Sequence, residues 1–316
     1  MSRTLGSRPV VDLSTTVGTV TFPNPVMTAS GTSGHGDEFG SYVDLAALGA
    51  VVVKSLSAEP WAGNPAPRVH ETQGGMINSV GLQGPGVAAW LAYELPPLLA
   101  TGARVVASIW GRTVEEYAAA ARLLAHAPRG VVAIEVNLSC PNLHHGREMF
   151  AQLPETTFEA VAASLVCDRP VWAKLSPNVA SLIPIARAAH DAGAEAVTLV
   201  NTVMGMAIDP ETRTYRLGAG AGGGGLSGPA IHPIAVRAVH DVYQAMPELP
   251  IIGVGGVSKG VDAVELMLAG ASAIQVGTAS FADPRAVGRI ANELQTWCRQ
   301  RGIAAVTELI GDAHAR

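Results

Sequence analysis

The chain has 316 residues, 48% of them hydrophobic, and a formal net charge of −5 at pH 7. This promises a large core, and without a basic stripe or lysine-rich run it argues against nucleic acid or an anionic membrane surface as partner. Cys140, Cys167 and Cys298 are too widely and unevenly spaced for a disulfide framework or a metal site, which fits a reducing cytoplasm.

Residues 1–9 are polar with no apolar h-region, so no signal peptide is expected, and no apolar run is long enough to span a membrane. Residues 10–22 read as a short β-hairpin turning at Val17-Gly18, placed to cap the bottom of a barrel. Eight apolar runs then follow at 25–30, 50–55, 104–110, 133–140, 171–177, 196–202, 251–257 and 273–279. They are rich in Val, Ile, Leu and Ala, as parallel strands buried on both faces are. Alanine-rich amphipathic stretches lie between them, at 113–126, 154–166, 180–192, 229–245 and 258–269. Thr113 followed by Glu116 has the spacing of a capping box. This alternation predicts an α/β fold of the (β/α)8 TIM-barrel class, with an open doubly wound sheet as the alternative. The chain is read as one domain over 1–316, with long rim loops at 56–86 and 203–228 and a flexible tail at about 301–316. The glycine-rich stretch 218–225 is expected to be mobile.

The apolar runs end in residues that can do chemistry, and in barrels the C-terminal rim carries the active site. The fourth run leads into Asn137-Leu138-Ser139-Cys140-Pro141-Asn142. Asparagine amides match the alternating donor and acceptor edge of a pyrimidine-like ring, and a cysteine can accept a proton once its surroundings adjust its pKa. Asn78 and the Asn201-Thr202 pair add to the same rim. Lys54 and Lys174 end apolar strands, where a lysine is costly unless it meets a polar partner. Two such cations could stabilise negative charge on a reduced flavin or an enolate. Gly253-Val254-Gly255-Gly256 and Gly277-Thr278 let backbone approach a phosphate closely, without the spacing of a dinucleotide fingerprint. No metal is expected: His144-His145 have no supporting ligand spacing, and Cys167 and Cys298 read as inert thiols.

These motifs together resemble the dihydroorotate dehydrogenase family over about residues 24–284. The matching stretches are Asn24-Pro25-Val26-Met27-Thr28-Ala29-Ser30-Gly31, Val53-Lys54-Ser55, Asn78-Ser79-Val80-Gly81-Leu82, the Asn137 to Asn142 segment, Lys174-Leu175-Ser176-Pro177, Asn201-Thr202, Leu226-Ser227-Gly228-Pro229-Ala230 and both glycine loops. Cys140 stands where the class-1 form carries its base. Glu59-Pro60, Gly63-Asn64-Pro65, Pro67-Arg68, Gly81-Leu82-Gln83 and Pro85-Gly86 are similar to subclass 1B, which works with a second subunit carrying FAD and a [2Fe-2S] cluster and passes electrons to NAD.

The resemblance implies a cytoplasmic enzyme of pyrimidine synthesis that oxidises dihydroorotate to orotate on FMN, with a homodimeric barrel. Cys140 would take a proton from C5 while hydride leaves C6. Lys54, Asn78, Asn137, Asn142, Asn201 and Thr202 would hold the substrate. Ala29, Ser30, Gly31, Lys54, Ser55, Asn137, Lys174, Val200, Gly228, Gly255, Gly256, Gly277 and Thr278 would hold FMN, with Lys174 near N1. Residues 141–153 would act as a lid. The chain departs from the 1B pattern near Ser33, where an aromatic is usual, and in His145-Gly146-Arg147-Glu148-Met149-Phe150-Ala151, where the usual lid carries a Gly-Gly pair followed by Phe-Gly. The alternatives are a class-1A enzyme reducing fumarate, a related dihydropyrimidine-oxidising flavoprotein, and a barrel that has lost turnover.

Overall fold

The computed structural model describes residues 11–140 and 149–315. Its eight central strands are β1 (Val26–Thr28), β2 (Val51–Val52), β3 (Val105–Ile109), β4 (Val131–Asn137), β5 (Val171–Lys174), β6 (Ala196–Leu199), β7 (Ile251–Val254) and β8 (Ala273–Val276). They form one parallel sheet in the order β1-β8-β7-β6-β5-β4-β3-β2. The two ends meet: Gly49 N–H donates to Val26 O (2.9 Å) and Thr28 N–H to Ala50 O (3.2 Å). The sheet is therefore a (β/α)8 barrel and not an open doubly wound sheet.

Around it lie α1 (Leu95–Ala100), α2 (Val114–Leu124), α3 (Pro154–Ser164), α4 (Ile183–Asp191), α5 (His232–Ala245), α6 (Gly260–Leu268) and α7 (Ala286–Arg301). Short 3-10 turns, Glu38–Ser41 and Leu45–Ala47, stand where a helix would follow β1. Thr113 Oγ1 caps α2 by accepting from Glu116 N–H (3.3 Å). The Glu116 carboxylate turns instead to the Arg112 N–H (2.7 Å) and guanidinium (2.7 Å), so only half of the capping box forms.

Alternation along the strands builds the barrel interior in layers. Met27, Val52, Val106, Ala133, Trp172, Ala196, Ile252 and Ala273 make a dry bottom layer. The hairpin Thr15–Val17 and Val20–Phe22 plugs it, with Val17 and Phe22 fully buried and Phe22 packed edge-on to Trp172 at 5.9 Å. That aromatic pair contributes about 0.5–1.5 kcal/mol beyond its buried area. Two residues further along each strand the interior turns polar, with Lys54, Ser108, Glu135, Lys174, Thr198 and Gln275 among the eight.

The long loops are more ordered than expected. Val69–Thr72, Gly75–Asn78, Gly224–Ser227 and Val203–Gly205 pair into a four-stranded antiparallel sheet over the rim. The glycine run expected to be mobile supplies one of its strands, and the glycines serve close approach. A Cβ on Gly224 would lie 2.5 Å from Asn78 O, and one on Gly225 2.0 Å from Thr202 Oγ1. The segment expected as a flexible tail is docked as well. Asp12 N–H donates to Ala304 O (2.8 Å), Val306 N–H donates to Asp12 O (2.8 Å), and Val306 and Leu309 are buried.

Candidate active site

The strand ends of β4 and β6 bring two expected amides into contact. Asn201 Nδ2 donates to Asn137 Oδ1 (3.2 Å), while Asn137 Nδ2 donates to Ser55 Oγ (3.2 Å). Ser139 N–H also donates to Asn137 Oδ1 (3.2 Å), and Thr202 N–H to Asn201 Oδ1 (2.8 Å). Asn137 is thus fixed on every polar atom of its amide before any ligand arrives. Asn78 enters from the rim sheet and donates to Gly225 O (3.2 Å). Asn142, expected to complete the set, lies outside the described residues, as do His144 and His145 and most of the lid.

Sequence reasoning passed over the residues that brace this cluster. Ser108 Oγ lies 2.9 Å from Ser55 Oγ. Asn178 Nδ2 donates to Thr202 O (3.0 Å) and Ser176 Oγ (2.7 Å), and its Oδ1 accepts from Met204 N–H (2.8 Å). Asn178 directly follows the Ser176-Pro177 motif, so its place next to an expected strand end was the available signal.

Cys140 is fully buried, its Sγ 3.4 Å from Asn137 O. The Tyr117 hydroxyl on α2 donates to the same carbonyl (2.7 Å) and sits against Phe150 edge-on at 5.1 Å. Phe150 N–H in turn donates to Cys140 O (3.2 Å), which ties the end of the segment expected as a lid to the cysteine. Burial pushes the Cys140 thiol up to about 12, against the opposing pull of the Tyr117 hydroxyl and the Lys54 cation. The sequence predicts a proton acceptor near neutral pH. Here the low-dielectric surroundings outweigh both stabilising neighbours and hold the group as a thiol. Burial also drives the Tyr117 hydroxyl well above its ordinary range.

Burial pushes the Lys54 ammonium below its ordinary range; Cys140 opposes this and the Lys174 cation adds to it. Lys54 faces a cavity of about 480 Å³ that is also lined by Gly31, His35, Trp61, Gln83 and Glu94. Burial and Lys54 push the His35 imidazole down, and its buried Nε2 has no hydrogen-bond partner among the described residues.

Lys174 lies deeper, at 4% exposure. Its Nζ donates to Gln275 Oε1 (3.1 Å) and Ser30 Oγ (3.3 Å) and lies 3.6 Å from Glu135 Oε1. Glu135 is fully buried; its Oε2 accepts from Gln275 Nε2 (2.6 Å) and Thr198 Oγ1 (3.1 Å). Neither Glu135 nor Gln275 is foreseen from the sequence. Both follow from alternation, since Glu135 precedes Asn137 by two residues and Gln275 precedes Gly277 by two.

Opposite the asparagines, glycines form a cradle. Gly228, Gly255 and Gly256 have φ of +99°, +138° and +69°, which other residues rarely adopt. A Cβ on Gly256 would lie 2.8 Å from His232 N and 2.9 Å from Gly228 O, and one on Gly228 2.7 Å from Gly75 Cα. His232 Nδ1 pairs with Gly255 O (2.8 Å), which turns that carbonyl toward the start of α5. Thr278 Oγ1 donates to Ser227 Oγ (2.8 Å), Val200 packs beside Gly255, and Gly31 faces open space. Ala29 and Ser30 close the β1 side, both buried. A glycine cradle next to a helix start, an open face at Gly31 and a cationic floor at Lys174 fit a phosphorylated, planar, negatively charged cofactor.

The chain matches the family model described as dihydroorotate dehydrogenase over residues 12–297. It is 48% identical over 301 residues to a protein of Geobacter sulfurreducens named dihydroorotate dehydrogenase B (NAD(+)), catalytic subunit, covering 95% of this chain and 97% of that one. A Geotalea uraniireducens protein of the same name is 48% identical over 303 residues, with the same coverage of each chain. A Solibacter usitatus protein, provisionally named dihydroorotate dehydrogenase A (fumarate), is 50% identical over 301 residues, again covering 95% and 97%.

Proposed function

The chain belongs to the dihydroorotate dehydrogenase family, and on that premise we propose that it works as an FMN enzyme with Cys140 as its base. It is an oxidoreductase of pyrimidine biosynthesis that converts dihydroorotate to orotate. The observation that carries the reading is the convergence at one barrel mouth of the fixed Asn137–Asn201 amides, the Cys140 thiol, the Lys54 and Lys174 cations and the glycine cradle.

FMN, when bound, supplies the acceptor for the hydride that leaves the substrate. Gly228, Gly255, Gly256, Gly277 and Thr278 would hold its phosphate, and Ala29, Ser30, Gly31, Ser55, Val200 and Lys174 its ring. Lys54, Asn78, Asn137, Asn142, Asn201 and Thr202 would bind dihydroorotate, with Lys54 answering its carboxylate. The ring is held by amides whose orientation is already set, so little ordering is left for the moment of reaction. Such alignment supplies up to about 7–11 kcal/mol in ideal cases. Cys140 would accept the C5 proton as thiolate, and the Tyr117 hydroxyl and Lys54 cation are the groups that stabilise that charge.

For the electron acceptor, the names of the Geobacter and Geotalea relatives support an NAD-linked reading with this chain as the catalytic subunit. A partner carrying FAD and a [2Fe-2S] cluster, a homodimeric barrel and a cytoplasmic location belong to that reading. Arg68, in the stretch similar to subclass 1B, shapes the loop after β2: it donates to Asn64 O (2.6 Å) and Ala62 O (3.0 Å) and bonds Gln83. No described helix is long and apolar enough to cross a membrane. The Solibacter relative favours fumarate as the second reading. Purified chain should release FMN on denaturation and, once reduced by dihydroorotate, be reoxidised by NAD only through an added electron-transfer subunit. Rapid reoxidation by fumarate alone would establish the second reading in its place.

A further inference from the structure

The barrel interior holds an ion pair that the reaction itself does not call for. We propose that Glu135 is the internal counter-ion that keeps Lys174 charged beneath the cofactor, a positioning role that rests on the flavin reading above.

The geometry is specific. Gln275 Nε2 and Thr198 Oγ1 both donate to Glu135 Oε2, which turns Oε1 toward Lys174 Nζ at 3.6 Å. Oε1 makes no hydrogen bond among the described residues, so the lysine is what it answers. Gln275 binds both members of the pair, through Nε2 to the carboxylate and Oε1 to the ammonium. One side chain therefore fixes the orientation of both charges. The residues directly below are the apolar bottom layer, Ala133 on β4 and Trp172 on β5 among them. Without Glu135 the ammonium would keep only neutral partners, Gln275 Oε1 and Ser30 Oγ, above an apolar layer, which favours loss of its proton.

Lys54 lies close enough to Lys174 for the two cations to repel. The titratable groups around the two lysines are Glu135 from β4, at Lys174, and Cys140 from the turn after β4, His35 from the segment after β1 and Glu94 just before α1, on the Lys54 side. Cys140 is held as a thiol, the His35 imidazole is pushed toward neutrality and Glu94 lines the cavity that Lys54 faces, so Glu135 is the carboxylate in contact with Lys174. Reduction adds negative charge to a flavin, and sulfite adds to one as an anion. Both are stabilised by a charged Lys174 and neither by a neutral amine.

The test is sulfite titration of the flavin-loaded protein, followed by flavin absorbance, for the wild type and Glu135→Gln from about pH 6 to about pH 9. Comparison at each pH cancels the ionisation of sulfite itself. The variant should bind sulfite roughly tenfold more weakly at the alkaline end, with the gap closing toward pH 6 as Lys174 regains its proton. Glu135→Asp, which keeps a carboxylate, should fall between the two. A gap that does not change with pH, no gap, or tighter binding by the variant would overturn the role. Where Glu135→Gln fails to fold or to hold flavin, the double variant with Lys174→Met decides, read by denaturation of the flavin-free protein. Removing both charges should recover folding relative to the single change, because neither is left unpaired. A double variant no better than Glu135→Gln alone overturns the pairing. Wild-type protein that holds no flavin, or that dihydroorotate does not reduce, contradicts the functional reading instead.

Discussion

The floor of the site and its cysteine corner are both buried, both polar and both hung from β4, yet they are finished to different degrees. On the floor every charge meets an answer: Lys174 Nζ has Gln275, Ser30 and Glu135, and the Glu135 carboxylate has Gln275, Thr198 and Lys174. At the corner the Cys140 thiol has the Asn137 carbonyl, the Tyr117 hydroxyl and the Lys54 cation nearby, and burial still holds it protonated. The floor is organised by the protein alone. In the proposed reaction the corner would become a base only against the cost of burial, so the proton step, not the cationic floor, would carry the sensitivity to pH and to small changes in structure.

The largest expected effect comes from removing the proposed base. Cys140→Ser should slow reduction of the flavin by dihydroorotate about 10²–10⁴-fold in stopped-flow absorbance while FMN stays bound. Unchanged kinetics would show that the corner is not where the proton goes. Next comes pH in the wild type. In the proposed reaction the ionised sulfur would accept the proton, and burial pushes its pKa up to about 12, above the working range. The rate of flavin reduction should therefore climb across pH 7 to 9 without a plateau, by up to roughly tenfold per unit. A plateau below about pH 8 would mean that the thiol ionises far more easily than its burial implies.

Gly256→Ala comes third. It forces a Cβ into a backbone at φ +69° and to 2.8 Å from His232 N. The left-handed backbone alone costs roughly 1–2 kcal/mol of folding stability, read by denaturation of the flavin-free protein, and displacement of the cradle by the new Cβ should weaken flavin binding in equilibrium dialysis. The base and floor should be untouched in flavin-saturated protein. Tyr117→Phe is the mildest change. Losing one hydroxyl near the thiol costs about 0.5–1.5 kcal/mol, a roughly two- to thirteenfold slower proton step at neutral pH, with the rise shifted to higher pH. An unchanged pH profile in this variant would leave Tyr117 as packing only.

Much of this molecule could be read from the chain before the fold was known. The eight apolar runs are the eight strands, because parallel strands covered on both faces tolerate few polar residues and stand out. The residues that end them gather at one rim for the same reason. The rim sheet was not legible, since its four short strands come from two loops far apart in sequence and are largely half-exposed, with no continuous apolar run to mark them. Gly224 and Gly225 misled in a particular way: a glycine needed for close approach to Asn78 and Thr202 is indistinguishable in sequence from one that loosens a loop. Glu135 was hidden by the apolar residues around it, although a carboxylate facing the barrel interior two residues before Asn137 is the kind of position that demands a cationic partner. The direction of the Cys140 shift was out of reach, because it depends on how completely α2 and the end of the lid cover the sulfur.

The most direct measurement is anaerobic stopped-flow absorbance at the flavin band after mixing the flavin-loaded protein with dihydroorotate and, separately, with dihydrouracil. Fast bleaching by dihydroorotate, with little or none by dihydrouracil, is the predicted result. It would join the asparagine cluster, the cysteine and a cation for the substrate carboxylate in one reaction. Protein that carries flavin yet is not bleached by dihydroorotate would contradict the assignment of this rim to dihydroorotate oxidation.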